Sequence, residues 1–562
     1  MKKRYRLFGG ELEGNNSLVY QLLKNRNIED TETFLNPSYD EGFHDPFLLT
    51  DMDKAVDRIL QAMDAGEKIL IYSDYDADGI PAGVMMKDFF EMIGYANATN
   101  YIPHRHDEGF GLNQDAIDTF VKNDVDLLIT LDCGIADHAE IAYAMKKGID
   151  VIVTDHHEQA GEIPPAFAVI DPKRIGDQYP FDGLCGSGVG WKLIQGLMLR
   201  RDFGLKPGQE KWLLDMVGLA TLADMVPLVD ENRILGKYGL MVLRKSRRPG
   251  IRKLLSLLKM QQGYMTEDDI GFMIAPRINA ASRMGDPADA FALLSSKDEL
   301  EAGIFAKKLE DVNNERKGVV AAIVKEVKKR LKARQDIPEV IVMGNPDWRP
   351  SLVGLVANSV SEEYGKPVFL WGREGKNIIK GSCRSDGVTN LVELMKACPD
   401  VFSQFGGHKM AGGFAVHENA VHTIEEALCE AFRNMPNESE LEDIMLDSKL
   451  RLSDISWNTQ KAIEQVSPYG IGHSKPMFLF EHVEVSSMKL FGKQKNHLSL
   501  SLTDSSGARV DAIAFFSEPD SFEVPIKIGG HINIVGHIEK SVFRGRPELR
   551  LRLVDILKEG LE

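Results

Sequence analysis

Thiol pairs are missing from this chain. Its 562 residues hold five cysteines, Cys133, Cys185, Cys383, Cys398 and Cys429, scattered and with no CxxC among them. That excludes a disulfide framework and a thiolate zinc site, and fits a reduced, cytoplasmic protein. No uninterrupted apolar stretch approaches the roughly 18 residues that a membrane span needs. The basic start, MKKRYRLFGGELEGN, is followed by no apolar run, which argues against a signal peptide. Repeats and low-complexity segments are also lacking. Positive charge is short: 67 Lys and Arg stand against 84 Asp and Glu, for a formal net charge of −17. A nucleic-acid binder usually carries a basic footprint. Net charge averages over faces and domains, however, so the placement of the cations matters more than their sum.

What is present is an ordinary globular composition, 43% apolar and 27% charged, on a chain long enough for about two to four domains. From about residue 51, short apolar strands alternate with helices. KILIY (68–72) is a buried strand and PAGVMMKDFFEMIG (81–94) the helix after it, opened by Pro81. ATNYI, a helix from near Asn113, DLLITLD (126–132), a helix from about Asp137 and DVIVTD (150–155) continue the rhythm. Runs of Ile, Val and Leu separated by helices predict a parallel sheet covered on both faces, Rossmann-like in architecture. Near residue 230 the pattern turns helical, and 298–335 reads as one long helix. EVIVM (339–343) opens a second, smaller α/β region ending near 436. Beyond it, HLSLSL (497–502) and LRLRL (549–553) alternate strictly. With FLFEHVEV, ARVDAIAFF and HINIVGHIEK they make about five antiparallel strands, enough for an OB-fold barrel.

The segment ILIYSDYDADGIPAG (69–83) packs Asp74, Asp76 and Asp78 at alternate positions, with Gly79 next. An EF-hand loop starting at Asp74 needs a Glu at its twelfth position, where Met85 stands, and a helix before it, where a strand lies. A phosphate cradle fails because carboxylates repel phosphate unless a cation intervenes. In open α/β sheets, ligands sit beyond the carboxyl ends of the strands. Asp132 ends the strand LITLD, and Asp155, His156 and His157 end VIVTD, so three strand ends deliver carboxylates and imidazoles to one edge. Asp224 in GLATLADMVP interrupts an apolar helical stretch, where an unpaired charge is costly. One strand-end Asp is as readily a helix cap; several in register with the strand rhythm point to metal. Carboxylate and imidazole without thiolate suit Mn²⁺ or Mg²⁺. Two such ions about 3.5–4 Å apart are a device for in-line cleavage of phosphate esters.

Asp155–His156–His157, with DYDADG, LDCG and LADMVP in this order, resembles the DHH phosphoesterase family, and within it the branch of single-strand-specific 5′→3′ DNA exonucleases. PHRHDEGFGL (103–112), PRINAASRMG (276–285), GSCRS (381–385) and FGGHKMAGG (405–413) extend the likeness over nearly the whole chain. Ser282 departs from it, where Gly is expected. The resemblance implies a DHH catalytic domain (51–235) after an N-terminal segment (1–50), a helical region with a connecting helix (236–335), a DHH-associated α/β domain (336–436) and an OB-fold (437–562). It implies two divalent ions, with Asp76 on one, Asp78 and His156 on the other, and Asp132 and Asp224 bridging or sharing. Asp74 and His157 lie in or just outside the first shell, His157 steadying the scissile phosphate or protonating the leaving oxygen. A neutral His ligand implies activity falling in acid.

Selecting a 5′ end requires a phosphate grip at a fixed distance from the metals, and arginine suits that task. Arg105, Arg277, Arg283, Ser382 and Arg384 stand in the motifs above, although each arginine taken alone is as readily a surface ion pair. His408, in the glycine-rich 405–413, is placed near the cleft, and Phe110 offers a ring for base stacking. On the barrel, Lys489, Lys493, Lys495 and His497 share one hairpin, and Lys540, Arg544, Arg546, Arg550 and Arg552 another. Arg550 and Arg552 alternate with leucines, which places them on a wet face that tracks a single strand. The function implied is degradation of single-stranded DNA to 5′-mononucleotides in repair and recombination. A nucleotidase for short RNAs or small phosphonucleotides is the rival, and a scaffold without metal ligands the third reading. Single-stranded DNA with a 5′ end is the expected partner, together with a single-strand-binding protein, and no membrane.

Overall fold

The computed structural model describes residues 4–8, 15–159, 161–374, 378–435, 443–492, 495–541 and 547–557. Five parallel strands, β1 (Ile69–Ser73), β2 (Ala98–Tyr101), β3 (Leu127–Leu131), β4 (Asp150–Thr154) and β5 (Ala168–Ile170), form the first sheet in the order β2-β1-β3-β4-β5. β1 and β3 are buried at every residue, as strands covered on both faces must be. Ile69, Ile71, Leu127 and Ile129 pack with α1 (Gly79–Met92) and α2 (Gly186–Arg200). Leu70, Tyr72, Leu128 and Val151 face the helices Gln114–Lys122 and His138–Lys146 on the other side. The order reverses between β1 and β3, and that switch point is where a doubly wound sheet opens a crevice. β5, three residues long, was too short to show as a period in the sequence.

α3 (Leu214–Ala223) ends at Asp224, which caps the helix rather than interrupting it, and so turns its carboxylate out of the apolar layer. Further on stand α4 (Ala275–Met284) and the 34-residue α5 (Glu299–Lys332). Asp298 caps α5 at the Leu300 and Glu301 amides, and Lys329, Arg330 and Lys332 fill its last turn, both in accord with the helix dipole. At roughly 50 Å long, α5 buries Ala306 and Leu309 in the first core and Ile323, Val327 and Leu331 against the second sheet.

The second sheet comprises β6 (Ile341–Gly344), β7 (Val368–Glu374), β8 (Ile378–Arg384), β9 (Phe402–His408) and β10 (Ala411–Val416), ordered β9-β10-β8-β7-β6. α6 (Pro350–Tyr364) packs on β7 and β8. The C-terminal strands β11 (Phe478–Phe491), β12 (His497–Thr503), β13 (Arg509–Ala514), β14 (His531–Ser541) and β15 (Glu548–Leu557) close a five-stranded barrel, since β11 pairs with both β12 and β14. One pair departs from the antiparallel expectation: β13 and β15 run parallel. The N-terminal segment joins this barrel. Arg4–Leu7 pairs in parallel with Asp443–Leu446, and Leu18, Leu22 and Leu23 enter the barrel core. Among the described residues no helix is long and apolar enough to cross a membrane.

Candidate metal centre and phosphate pocket

Asp74, Asp76 and Asp78 follow β1, Asp132 follows β3, and Asp155, His156 and His157 follow β4, all at the carboxyl edge of the sheet. His156 Nε2 lies 3.2 Å from Asp132 Oδ1 and 3.8 Å from an oxygen of both Asp78 and Asp224. Three overlapping ligand groups result: Asp132, His156 and His157; Asp78, His156 and Asp224; and Asp74, Asp76 and Asp132. All seven positions expected from the sequence therefore meet at the β1/β3 switch point.

Local structure holds them there. Gly186 and Ser187, the first residues of α2, donate their amides to Asp78 Oδ2 and Oδ1 at 2.6 and 2.7 Å. The positive end of the helix thus orients that carboxylate. Asp76 Oδ1 accepts the Asp78 and Gly79 amides. A Cβ on Gly79 would meet the Asp74 carbonyl oxygen at 2.4 Å, and one on Gly186 would meet Asp132 Cβ at 2.5 Å. Asp132 itself has φ +64°, a left-handed backbone rare outside glycine. Asp155 is a second-layer residue: its Oδ1 takes the His156 amide at 2.7 Å and His157 Nδ1 at 2.7 Å. Gly186 and Ser187 were not among the expected site residues, and Asp155, expected at this edge, had no role assigned to it. The GSG opening of a helix (186–188) is the sequence signal that marks the first two.

The electrostatics favour a cation. Burial, then neighbouring carboxylates, push Asp74 and Asp132 well above the ordinary carboxylate range. Burial followed by Asp78 and Asp76 takes Asp224 to about 9. Burial also raises Asp78 against the pull of His156, and lowers His156. Burial works against charge on His157 too, but its hydrogen bond to Asp155 prevails and takes it to about 9. Buried Asp74 Oδ1, Asp132 Oδ1 and His156 Nδ1 have no hydrogen-bond partner. Hard carboxylate oxygens with imidazole, several of them unsatisfied, fit Mn²⁺ or Mg²⁺.

Beside this centre lies an arginine cluster. Arg283 is half-buried and feels Arg105, Arg316 and Arg384 as like charges, which with desolvation as the main cause lower it to about 10. None of the four has an ion pair among the described residues. Arg283 Nη1 donates to the Ser351 carbonyl at 2.8 Å, and Ser351 Oγ donates back to the Arg283 carbonyl at 3.0 Å. Arg384 donates to Ser382 Oγ at 3.0 Å. Gly354 of α6 lies so close that a Cβ there would meet Ser382 Oγ and Arg384 Nη2 at 2.9 and 3.0 Å. Arg105 lies over the Tyr75 ring, and Phe110 stands edge-on to Tyr75 and His157 with half its surface exposed. Arg316 was not expected; its Nε is buried without a partner.

Arg277 lies near enough to Arg316 to act on its charge, but its own donors are already taken. It is buried, its Nε donates to Glu310 Oε2 at 2.7 Å and its Nη1 to the Met273 carbonyl, so it ties α4 to α5 instead. His408 is exposed at the end of β9, in register with Ala411 and through it with Arg384. Among the described residues no hydrogen bond or ion pair joins it to the carboxylates. Of the 405–413 glycines, Gly407 and Gly412 are packing positions, while Gly406 and Gly413 leave bare backbone.

The barrel cations divide. Lys489 and Lys495 are exposed on the β11–β12 hairpin; Lys493, Arg544 and Arg546 lie outside the described residues. Arg550 and Arg552 do lie on the outer, partly exposed face of β15, but they are paired there: Glu539 lies 3.6 and 3.5 Å from them, and Asp268 is 3.8 Å from Arg552. The open basic surface is elsewhere. A cavity of about 980 Å³ runs between α5 and the barrel, with Lys317, Lys325, Lys329 and Lys332 on one wall and Phe516 on the other. Phe516 is 80% exposed at φ +54°, its amide donated to His497 Nδ1 at 2.9 Å. Arg316 joins this cavity to the arginine cluster.

Comparison with known proteins agrees with this architecture. The chain matches the DHH family, N-terminal domain, over residues 68–221, the DHHA1 domain over 336–434 and the RecJ OB domain over 446–555. It is 34% identical over 543 residues to the single-stranded-DNA-specific exonuclease RecJ of Bacillus subtilis, covering 96% of this chain and 67% of that protein. The crystal structure of RecJ from Thermus thermophilus in complex with Mn²⁺ superposes with a TM-score of 0.81 at 26% identity, over 100% of this chain and 81% of that one. The Mg²⁺ complex gives 0.75 at 24%, over 100% and 79%.

Proposed function

The chain belongs to the RecJ family of single-stranded-DNA-specific exonucleases within the DHH phosphoesterases, and on that premise we propose how its centre selects and cuts a strand. It is a metal-dependent exonuclease acting on single-stranded DNA. In this reading it proceeds 5′→3′ and releases 5′-mononucleotides for repair and recombination, in the cytoplasm, alongside a single-strand-binding protein.

Asp76, Asp78, Asp132, His156 and Asp224, with Asp74 beside them, would hold two divalent ions. When bound, Mn²⁺ or Mg²⁺ supplies charge neutralisation at the scissile phosphate and lowers the pKa of a water. The amides of Gly186 and Ser187 keep Asp78 in one orientation throughout. Asp155 holds His157 at Nδ1, which leaves Nε2 to steady the phosphate or pass a proton to the departing oxygen. Arg105, Arg283, Ser382 and Arg384 grip the terminal 5′-phosphate, with Arg316 leading the strand into the lysine-walled cavity. Phe110 and Phe516 offer rings to bases.

The observation that carries this reading is the adjacency of two charge clusters: carboxylates with orphaned oxygens, and arginines with no ion pair among the described residues. The barrel and the basic cavity favour a long strand over the small substrates of a nucleotidase. The test compares an oligonucleotide of about 20 nucleotides labelled at its 5′ or 3′ end. Immediate release of labelled mononucleotide from the 5′ end, preferring a 5′-phosphate, is expected. Release from the 3′ end, or faster turnover of dinucleotides, rejects the polarity or the substrate class.

A further inference from the structure

Asn279 of α4 takes no part in the ligand groups or the arginine cluster, yet it touches the first and lies one turn from the second. Its Oδ1 accepts the Ala77 amide at 2.9 Å, and Ala77 stands between Asp76 and Asp78. Four residues on, Arg283 exchanges hydrogen bonds with both the carbonyl and the hydroxyl of Ser351, in the first turn of α6. Three residues further along α6, Gly354 packs against Ser382 and Arg384. Residues four apart on a helix share a face about 6 Å apart along the axis. One face of α4 therefore grips the metal-holding loop at one end and the phosphate pocket of the second α/β domain at the other.

We infer that Asn279 is a positioning residue that fixes the spacing between the metal-holding loop and the 5′-phosphate pocket, and so sets how many nucleotides leave in each cut. This rests on the reading of the two clusters given above. The rest of the loop is tied to the catalytic sheet and α2: the Asp74 amide goes to the Leu131 carbonyl, the Asp78 and Gly79 amides to Asp76, and Ser187 Oγ to the Asp78 carbonyl. Those bonds keep the ligands together but say nothing of where the second domain stands. α4 lies in the same core as Ala77 through Ile278 and Ala281, and the Asn279–Ala77 bond is the polar tie that sets the register of the ligand-bearing turn against that helix. Without it, α4 stays with Arg283 and α6, and the turn at Ala77 loses its hydrogen-bonded register against them, so that its ligands meet the first or the second phosphodiester.

The experiment uses the full-length Asn279→Ala and Asn279→Asp variants, Mn²⁺ and a 5′-phosphorylated single strand, with products resolved by length. Asn279→Ala is expected to lower kcat/KM about 10–100-fold and to release dinucleotide beside mononucleotide. Its preference for a 5′-phosphate and its Mn²⁺ affinity by calorimetry are expected to stay within about threefold of the parent. Asn279→Asp keeps an acceptor oxygen and is expected to restore mononucleotide alone. Mononucleotide as the sole product of Asn279→Ala, at any rate, overturns the inference, as does a loss of Mn²⁺ affinity that accounts for the slower turnover. Failure of the parent protein to release mononucleotide from the 5′ end rejects the functional reading itself, which separates the two outcomes.

Discussion

Two arginines from one motif have opposite fates. Arg277 and Arg283 both lie in PRINAASRMG, six residues apart, and sequence spacing gives no means of ranking them. Arg277 meets Glu310 and is neutralised, whereas Arg283 meets other arginines and is not. Arg277→Ala is therefore expected to cost about 2–3 kcal/mol of stability by stranding Glu310, and to leave the preference for a 5′-phosphate intact. Arg384→Ala is expected to do the reverse: near-parental unfolding and a KM rise of about tenfold or more on 5′-phosphorylated strands, with little change on 5′-hydroxyl strands. Urea melts and paired kinetics check both. The metal ligands were legible because acidic and imidazole side chains at apolar strand ends have few other uses. Asn279 was not, because an acceptor to a backbone amide carries no residue signature until the fold brings the pieces together, and the GSG at 186–188 marks a helix opening without telling which carboxylate its amides meet.

At the level of elements, long strongly patterned segments such as α5 and the first four strands were legible, and the failures came where packing overrides pattern. β5 is three residues, Asp224 closes a helix whose apolar run looks continuous, and β13 meets β15 in parallel because closing the barrel demands it. His473 marks another such junction. It is 2% exposed, stacks on Tyr469 at 5.1 Å, lies 5.1 Å from Phe34, and donates from Nε2 to the Val466 carbonyl at 2.9 Å. Burial, then the charge of Arg233, hold it neutral down to about 3; Arg26 acts in the same direction. The unfolded chain protonates this ring near 6.5 and the folded chain does not, so its contribution to stability is present above pH 6.5 and is lost as pH falls towards 3. Between pH 7.5 and 5.5 the protein is expected to lose about 1–2 kcal/mol from this group. His473→Gln, which keeps a donor, is expected to lose that much less over the same interval, read from denaturation midpoints at the two pH values.

For the molecule as a whole, the net charge of −17 is resolved by where the cations are. They gather on one face of α5, opposite Phe516, in a cavity that reaches the arginine cluster through Arg316. The acidic remainder repels a phosphate backbone elsewhere and confines it to this wall. The sequence placed the basic track on the barrel, where Glu539 and Asp268 in fact occupy Arg550 and Arg552; the alternation of Arg with Leu told which way they point but not what stands opposite. If Lys325, Lys329 and Lys332 each neutralise one phosphate, replacing all three by alanine flattens the slope of log K against log salt by about 2 on a single strand, at roughly 0.7 per contact. Affinity for a strand of about 20 nucleotides is expected to fall steeply at low salt and little at high salt. Turnover of a 5′-phosphorylated trinucleotide, too short to reach the cavity, is expected to stay within about twofold of the parent. An unchanged salt slope in fluorescence-anisotropy titrations would instead move the strand off α5 and leave these lysines as a solvated helix face.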